Sequence, residues 1–181
     1  NVHGHRVEKI DKAIKDQLDK VAHSTLLGLA NVPSIELAKK LIDIVPKGLC
    51  KVFYSDDGST SVEIAIKMAY QYFQQNPNNV IASKAKQSKT KIAHVVNSYH
   101  GDTIGSVSVG GIDLFHKVYK KMLFDTVEVF LPEKYRYEKE EGMSWEDRCF
   151  YYLEKTIKEN AEQLAGFILE PLIQGAAGIL L

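Results

Sequence analysis

Apolar residues in the first fifty positions recur at helical spacing. Ile10, Ile14, Leu18 and Val21, three or four apart, predict an amphipathic helix over 6–22. Leu37, Leu41, Ile42 and Val45 share one face of a second helix, opened by Pro33 and Ser34 and closed by Pro46 and Gly48. Lys51–Tyr54 is a short β-branched and aromatic run, read as a strand, and Ser55-Asp56-Asp57-Gly58-Ser59 is a tight polar turn. A long helix with Val62, Ala65, Ile66, Ala69 and Phe73 as its buried stripe then runs to Gln75, where Asn76-Pro77-Asn78-Asn79 breaks it.

Beyond the breaker the period changes. Residues 92–96, 126–130 and 166–169 read as strands, the last ending at Glu170-Pro171. Ser98 to Thr103 is a polar turn, and a glycine-rich segment continues to Gly111. A charged loop over 132–142 precedes Ser144-Trp145-Glu146-Asp147, which opens a helix reaching Leu164. Strands alternating with helices across short turns predict an α/β fold, a mostly parallel sheet with helices on both faces. Such sheets bind ligands beyond the carboxyl ends of their strands. The turns at 55–60 and 97–103 both follow expected strands, so chemistry is sought there.

Composition narrows the classes. Twenty-three Lys and Arg balance 23 Asp and Glu, so no global basic field draws in nucleic acid or an anionic membrane. No apolar run approaches the ~18 residues of a membrane helix, and a cytoplasmic protein is expected. Cys50 and Cys149 fit no metal-ligand spacing and read as buried reduced thiols. His3, His5 and His100 lack a completing carboxylate or cysteine, so no metal site is expected. The basic stretch Lys84 to Lys91 reads as a solvated loop.

The turn before the long helix carries two readings. Thr60-Ser61-Val62-Glu63 matches a capping box, with Thr60 as N-cap and Glu63 reaching back. Gly58 and Ser59 at a helix start also suit an anion, held by unpaired N–H groups and the positive end of the helix dipole. Neither G-x-x-x-x-G-K-[ST] nor G-x-G-x-x-G is present, which excludes a P-loop and a dinucleotide fingerprint.

The stretch Tyr54-Ser-Asp-Asp-Gly-Ser-Thr-Ser-Val-Glu-Ile-Ala-Ile-Lys-Met-Ala69 resembles the phosphate-binding segment of the class III (ω-type) pyridoxal-phosphate-dependent aminotransferases. The resemblance implies that Gly58 and Ser59 bind the phosphate of pyridoxal 5'-phosphate. Asn97-Ser-Tyr-His-Gly-Asp-Thr103 is similar to the family's Tyr-His-Gly motif, which implies that Tyr99 lies against the cofactor's pyridine ring and borders the substrate. Asp102, the run Gly105–Gly111 and the opening Val2-His3-Gly4-His5 look most like the branch serving biotin synthesis, the adenosylmethionine–8-amino-7-oxononanoate aminotransferases. Ile168 to Gly178 resembles the Glu-Pro-(x)-(x)-Gln-Gly segment ending a central strand. Glu170 there is either a plain strand terminator or a supporting residue.

The resemblance implies a fold-type I transferase, with residues 1–181 as part of its cofactor-binding large domain. It implies transfer of an amine to 8-amino-7-oxononanoate, giving 7,8-diaminononanoate, with S-adenosylmethionine or, as in some relatives, lysine as donor, and small-molecule substrates bound by a homodimer. In relatives, the pyridine-pairing Asp, the cofactor-binding Lys and a carboxylate-binding Arg lie further along the chain. No lysine here sits in a matching motif, so no catalytic residue is assigned and the chain is expected to be a fragment. Two alternatives stand beside this. One is another class III enzyme acting on an ω-amine, ornithine or 4-aminobutyrate. The other is a non-catalytic phosphate-binding or structural domain.

Overall fold

A computed structural model describes residues 2–75, 89–132, 134 and 142–180. The expected breaker at 76–79 and most of the basic and charged loops lie outside the described residues. The chain divides into two compact units, Asn1–Phe53 and Tyr54–Leu181.

The first unit carries α1 (Glu8–Leu18) and α2 (Val32–Ile44). Helix α1 is shorter than its apolar spacing, and Val21 falls beyond it. Its stripe stays open: Ile10, Ile14 and Leu18 are 45%, 56% and 55% exposed. Helix α2 starts at Val32, one residue before Pro33. Asn31 is the N-cap, its side chain accepting the Ser34 N–H at 3.0 Å, and Pro33 sits in the first turn, where its missing N–H is no loss.

The second unit opens with α3 (Gly58–Gln75), where Val62, Ile66, Ala69 and Phe73 are half-buried and Ala65 is exposed. Strand β1 (Lys91–Val95), α4 (Ile104–Ser108), α5 (Asp113–His116) and a 3₁₀ turn (Lys117–Met122) follow. Then come β2 (Val127–Val129), α6 (Trp145–Asn160), β3 (Leu164–Ile168), and a small antiparallel pair, β4 (Ile173–Gln174) with β5 (Ile179–Leu180). Ser144 caps α6, accepting the Asp147 N–H at 3.0 Å.

The main sheet is parallel, with order β2-β1-β3. Ala93 pairs with Val127 and with Phe167, so these side chains share a face. There Ala93, Val127 and Val129 pack with Leu131, Leu153, Leu164 and Phe167, Leu153 coming from α6. The alternate positions of β1 point the other way, where Ile92 lines a groove with Ile66 and Tyr70 of α3. Helices thus cover both faces of the central strand, whose residues 92–95 are all buried. On edge strand β2, only the face toward α6 is covered, and Glu128 is exposed.

Two expectations are corrected and one segment gains an element. Residues 51–54 pair with no strand among the described residues, because apolar β-branched character does not make a strand without a neighbour to take its backbone groups. The glycine-rich segment after Thr103, to which the sequence pattern gave no element, contains helix α4, whose residues 105–108 are buried and whose small side chains let it lie close to α3. The thiols are free, but Cys50 is exposed and Cys149 only half-buried. No helix among the described residues is long and apolar enough to cross a membrane.

Candidate active site

The start of α3 is capped three residues earlier than its sequence suggests. Asp57 is the N-cap: its carboxylate accepts the Thr60 N–H at 2.8 Å, and Thr60 Oγ1 accepts the Asp57 N–H at 3.1 Å. This reciprocal pair is a capping box displaced from Thr60–Glu63 to Asp57–Thr60. Glu63 is thereby free of the helix end and accepts the Gly105 N–H of α4 at 2.5 Å. A carboxylate outcompetes a hydroxyl as acceptor, which decides the register.

The cap leaves the first two N–H groups of the helix, those of Gly58 and Ser59, with no intrahelical carbonyl to bond. A Cβ on Gly58 would meet nothing within 4 Å, so the space outside this turn is open. Ser59 Oγ accepts the Asp102 N–H at 2.9 Å. With that lone pair engaged, the Ser59 hydroxyl keeps its proton for another acceptor. Two N–H groups and a hydroxyl therefore converge at a helix N-terminus, a donor set suited to a phosphate. The Asp57 carboxylate opposes an anion there, but it is committed to the third-residue N–H.

The turn after β1 meets this helix end. Asn97 has φ 63° and Gly101 φ 120°, which fold residues 97–102 back over α3. A Cβ at Gly101 would overlap the Ser59 side chain, so glycine is required twice over, for the angle and for the approach. Ser106 Oγ donates to the Ser59 carbonyl at 3.1 Å, and with the Asp102 and Gly105 bonds this ties the turn to α3.

Tyr99 is held on three sides. Its hydroxyl donates to Asp102 Oδ2 at 2.6 Å, its N–H donates to Glu170 Oε2 at 3.0 Å, and its ring lies near-parallel to His116, centroids 6.5 Å apart. The hydrogen bond to Asp102 raises the phenol above its ordinary pKa, with desolvation and the Asp102 charge adding to it. His100 is shifted the other way: burial lowers its pKa against the pull of Glu170, which favours the neutral imidazole.

Gly58, Ser59 and Tyr99, the three residues singled out in the sequence, thus lie on two adjoining turns bridged through Asp102. Glu63 and His116 were not visible there as site residues. Glu63 had a local alternative as a cap, and its partner is 42 residues away. His116 carries no motif, and only the fold brings it to Tyr99.

The description "Aminotransferase class-III" fits residues 1–181, the whole chain. The chain belongs to the class-III aminotransferase family. Among curated class-III members it is 52% identical, over 181 residues, to the adenosylmethionine-8-amino-7-oxononanoate aminotransferase of Staphylococcus aureus, covering 99% of this chain and 38% of that protein. The crystal structure of the adenosylmethionine-8-amino-7-oxononanoate aminotransferase from Methanocaldococcus jannaschii superposes with a TM-score of 0.79 at 46% identity, covering 96% of this chain and 35% of that one. An amine transaminase from an uncultivated Pseudomonas species, solved in a PLP-bound form, gives a TM-score of 0.78 at 30% identity, covering 98% of this chain and 39% of that one. The chain thus spans about 38% of the length of the curated relatives it matches.

Proposed function

We propose that the protein of which this chain is a part is a pyridoxal-phosphate-dependent aminotransferase. Its reaction transfers an amine to 8-amino-7-oxononanoate, giving 7,8-diaminononanoate in biotin synthesis, with S-adenosylmethionine as donor. The observation that carries this is a contrast in identity. Proteins named for that reaction match at 34–52%, whereas ω-transaminase structures of similar fold match at 28–31%. The fold is common to both groups, so the side chains make the difference.

In this reading residues 1–181 belong to the cofactor-binding large domain. The N–H groups of Gly58 and Ser59 and the Ser59 hydroxyl hold the phosphate, and the start of α3 adds its dipole. The Tyr99 ring would pack against the pyridine ring and border the substrate, while Asp102 accepts the phenol's proton in a hydrogen bond and pins it. When bound, the cofactor supplies an electron sink for the bonds at the amine-bearing carbon. The turn at 97–102 orients that ring against the helix end through the Asp102 N–H and Ser59 hydroxyl. No lysine of this chain is assigned the proton transfer. A cytoplasmic homodimer acting on small molecules accompanies the reading.

Titrating the full-length protein with pyridoxal phosphate tests the cofactor assignment. A saturable visible absorption band, abolished by borohydride reduction, is expected; its absence sinks the proposal.

A further inference from the structure

Glu170 stands at the end of β3, beyond the strand's last residue and directly before Pro171. A residue preceding proline is held extended, which restricts where its side chain points. Both carboxylate oxygens are used. Oε2 accepts the Tyr99 N–H at 3.0 Å, and Oε1 accepts the Gly175 N–H at 2.9 Å. Tyr99 lies 71 residues away on the turn after β1, so the carboxylate joins the ends of two neighbouring parallel strands.

The chain after Pro171 is shaped to complete this clamp. Leu172 has φ 70°, a left-handed conformation that a bulky side chain rarely adopts, and it turns the backbone so that the Gly175 N–H faces back to Glu170. Gln174, 2% exposed, donates its Nε2 to the Val96 carbonyl at 2.8 Å, fastening the same segment to the end of β1. Ser98 is held as well, its carbonyl accepting the Gly111 N–H at 2.9 Å. The backbone of Tyr99 is therefore located by bonds from both sides, and Glu170 is the ligand of its own N–H.

We infer that Glu170 is a positioning residue, setting where the Tyr99 ring stands by binding its backbone N–H, without touching the reacting atoms. The inference rests on Tyr99 serving as the cofactor's ring platform, as proposed above. Two N–H donors converge on one side chain, and only a carboxylate offers each an oxygen. Glu170→Gln keeps the shape but turns an amino group toward one of the two donors.

The test is a cycle in the holoenzyme combining Glu170→Gln with Tyr99→Ala, read by the visible circular dichroism of bound pyridoxal phosphate and by its dissociation constant. With Tyr99 present, Glu170→Gln is expected to shrink the dichroic band by at least half and weaken cofactor binding about tenfold. In the Tyr99→Ala background it should change both by less than twofold. Equal effects in the two backgrounds, or an unchanged band with Tyr99 present, would overturn the inference while leaving the cofactor assignment intact. An unsubstituted protein with no pyridoxal band would overturn both. If Glu170→Gln does not fold, hydrogen exchange of the unsubstituted holoenzyme decides: a protected Tyr99 amide is expected, and one exchanging at the free-peptide rate contradicts the clamp.

Discussion

At the scale of single residues, the site works by dividing hydrogen-bonding capacity. Ser59 spends a lone pair on the Asp102 N–H and keeps its proton for another acceptor, which in the proposed function is the cofactor phosphate. Ser59→Ala removes a hydrogen bond to a charged group, worth about 1.5–3 kcal/mol, so cofactor binding should weaken about 10- to 100-fold in an absorbance titration. The fold should survive, because Asp102 is exposed and water can take its N–H. Tyr99 is tuned by the same neighbour. A phenol whose folded-state pKa is raised contributes stability below its unfolded pKa and loses it as pH rises through the folded value. Asp102→Asn should therefore shift the ionisation of one of the nine tyrosines to lower pH, visible in a difference titration near the phenolate band. An unchanged titration would contradict the Tyr99–Asp102 bond. Of these residues, Gly58, Ser59 and Tyr99 were singled out because they sit in contiguous motifs, whereas Asp102 was read only as a mark of the biotin branch. Glu63 and His116 were not legible as site residues, since their roles depend on partners brought by the fold.

At the scale of elements, local periodicity revealed α2, α3, α6 and the three sheet strands, whose cores and caps lie within a few residues of one another. It failed where the deciding partner is distant or lacking. Residues 51–54 have strand composition but no paired neighbour among the described residues. Helix α4 was hidden because its Gly and Ser content suits a loop equally well. Only its burial against α3, with the Gly105 N–H on Glu63, makes it a helix. The cap of α3 shifted by three residues because Asp57 is the stronger acceptor. Asp57→Ala should accordingly destabilise the protein by about 1 kcal/mol in urea denaturation. It should also leave pyridoxal phosphate bound as tightly or more so, since a carboxylate leaves the anion's end of the helix. Weaker cofactor binding in that variant would contradict the placement of the phosphate there.

At the scale of the whole molecule, a three-stranded parallel sheet delivers the ends of β1 and β3 to one place, and the start of α3 meets the turn that follows β1. The alternation of strands and helices pointed to the carboxyl ends of the strands, but residues 51–54, expected as the strand before α3, pair with none among the described residues, and the two-unit division was not expected. Ile10, Ile14 and Leu18 have the spacing of a buried face yet remain about half exposed, because periodicity tells which residues align and not what covers them. The chain covers 38% of the Staphylococcus aureus relative, so activity belongs to the intact protein and must be measured there. The most direct measurement is amine transfer by the full-length protein with pyridoxal phosphate, offering S-adenosylmethionine with 8-amino-7-oxononanoate beside ω-amines with pyruvate. The account predicts 7,8-diaminononanoate from the first pair and little turnover of the second. Brisk ω-amine transfer with no diamine formed, from any donor including lysine, would contradict it.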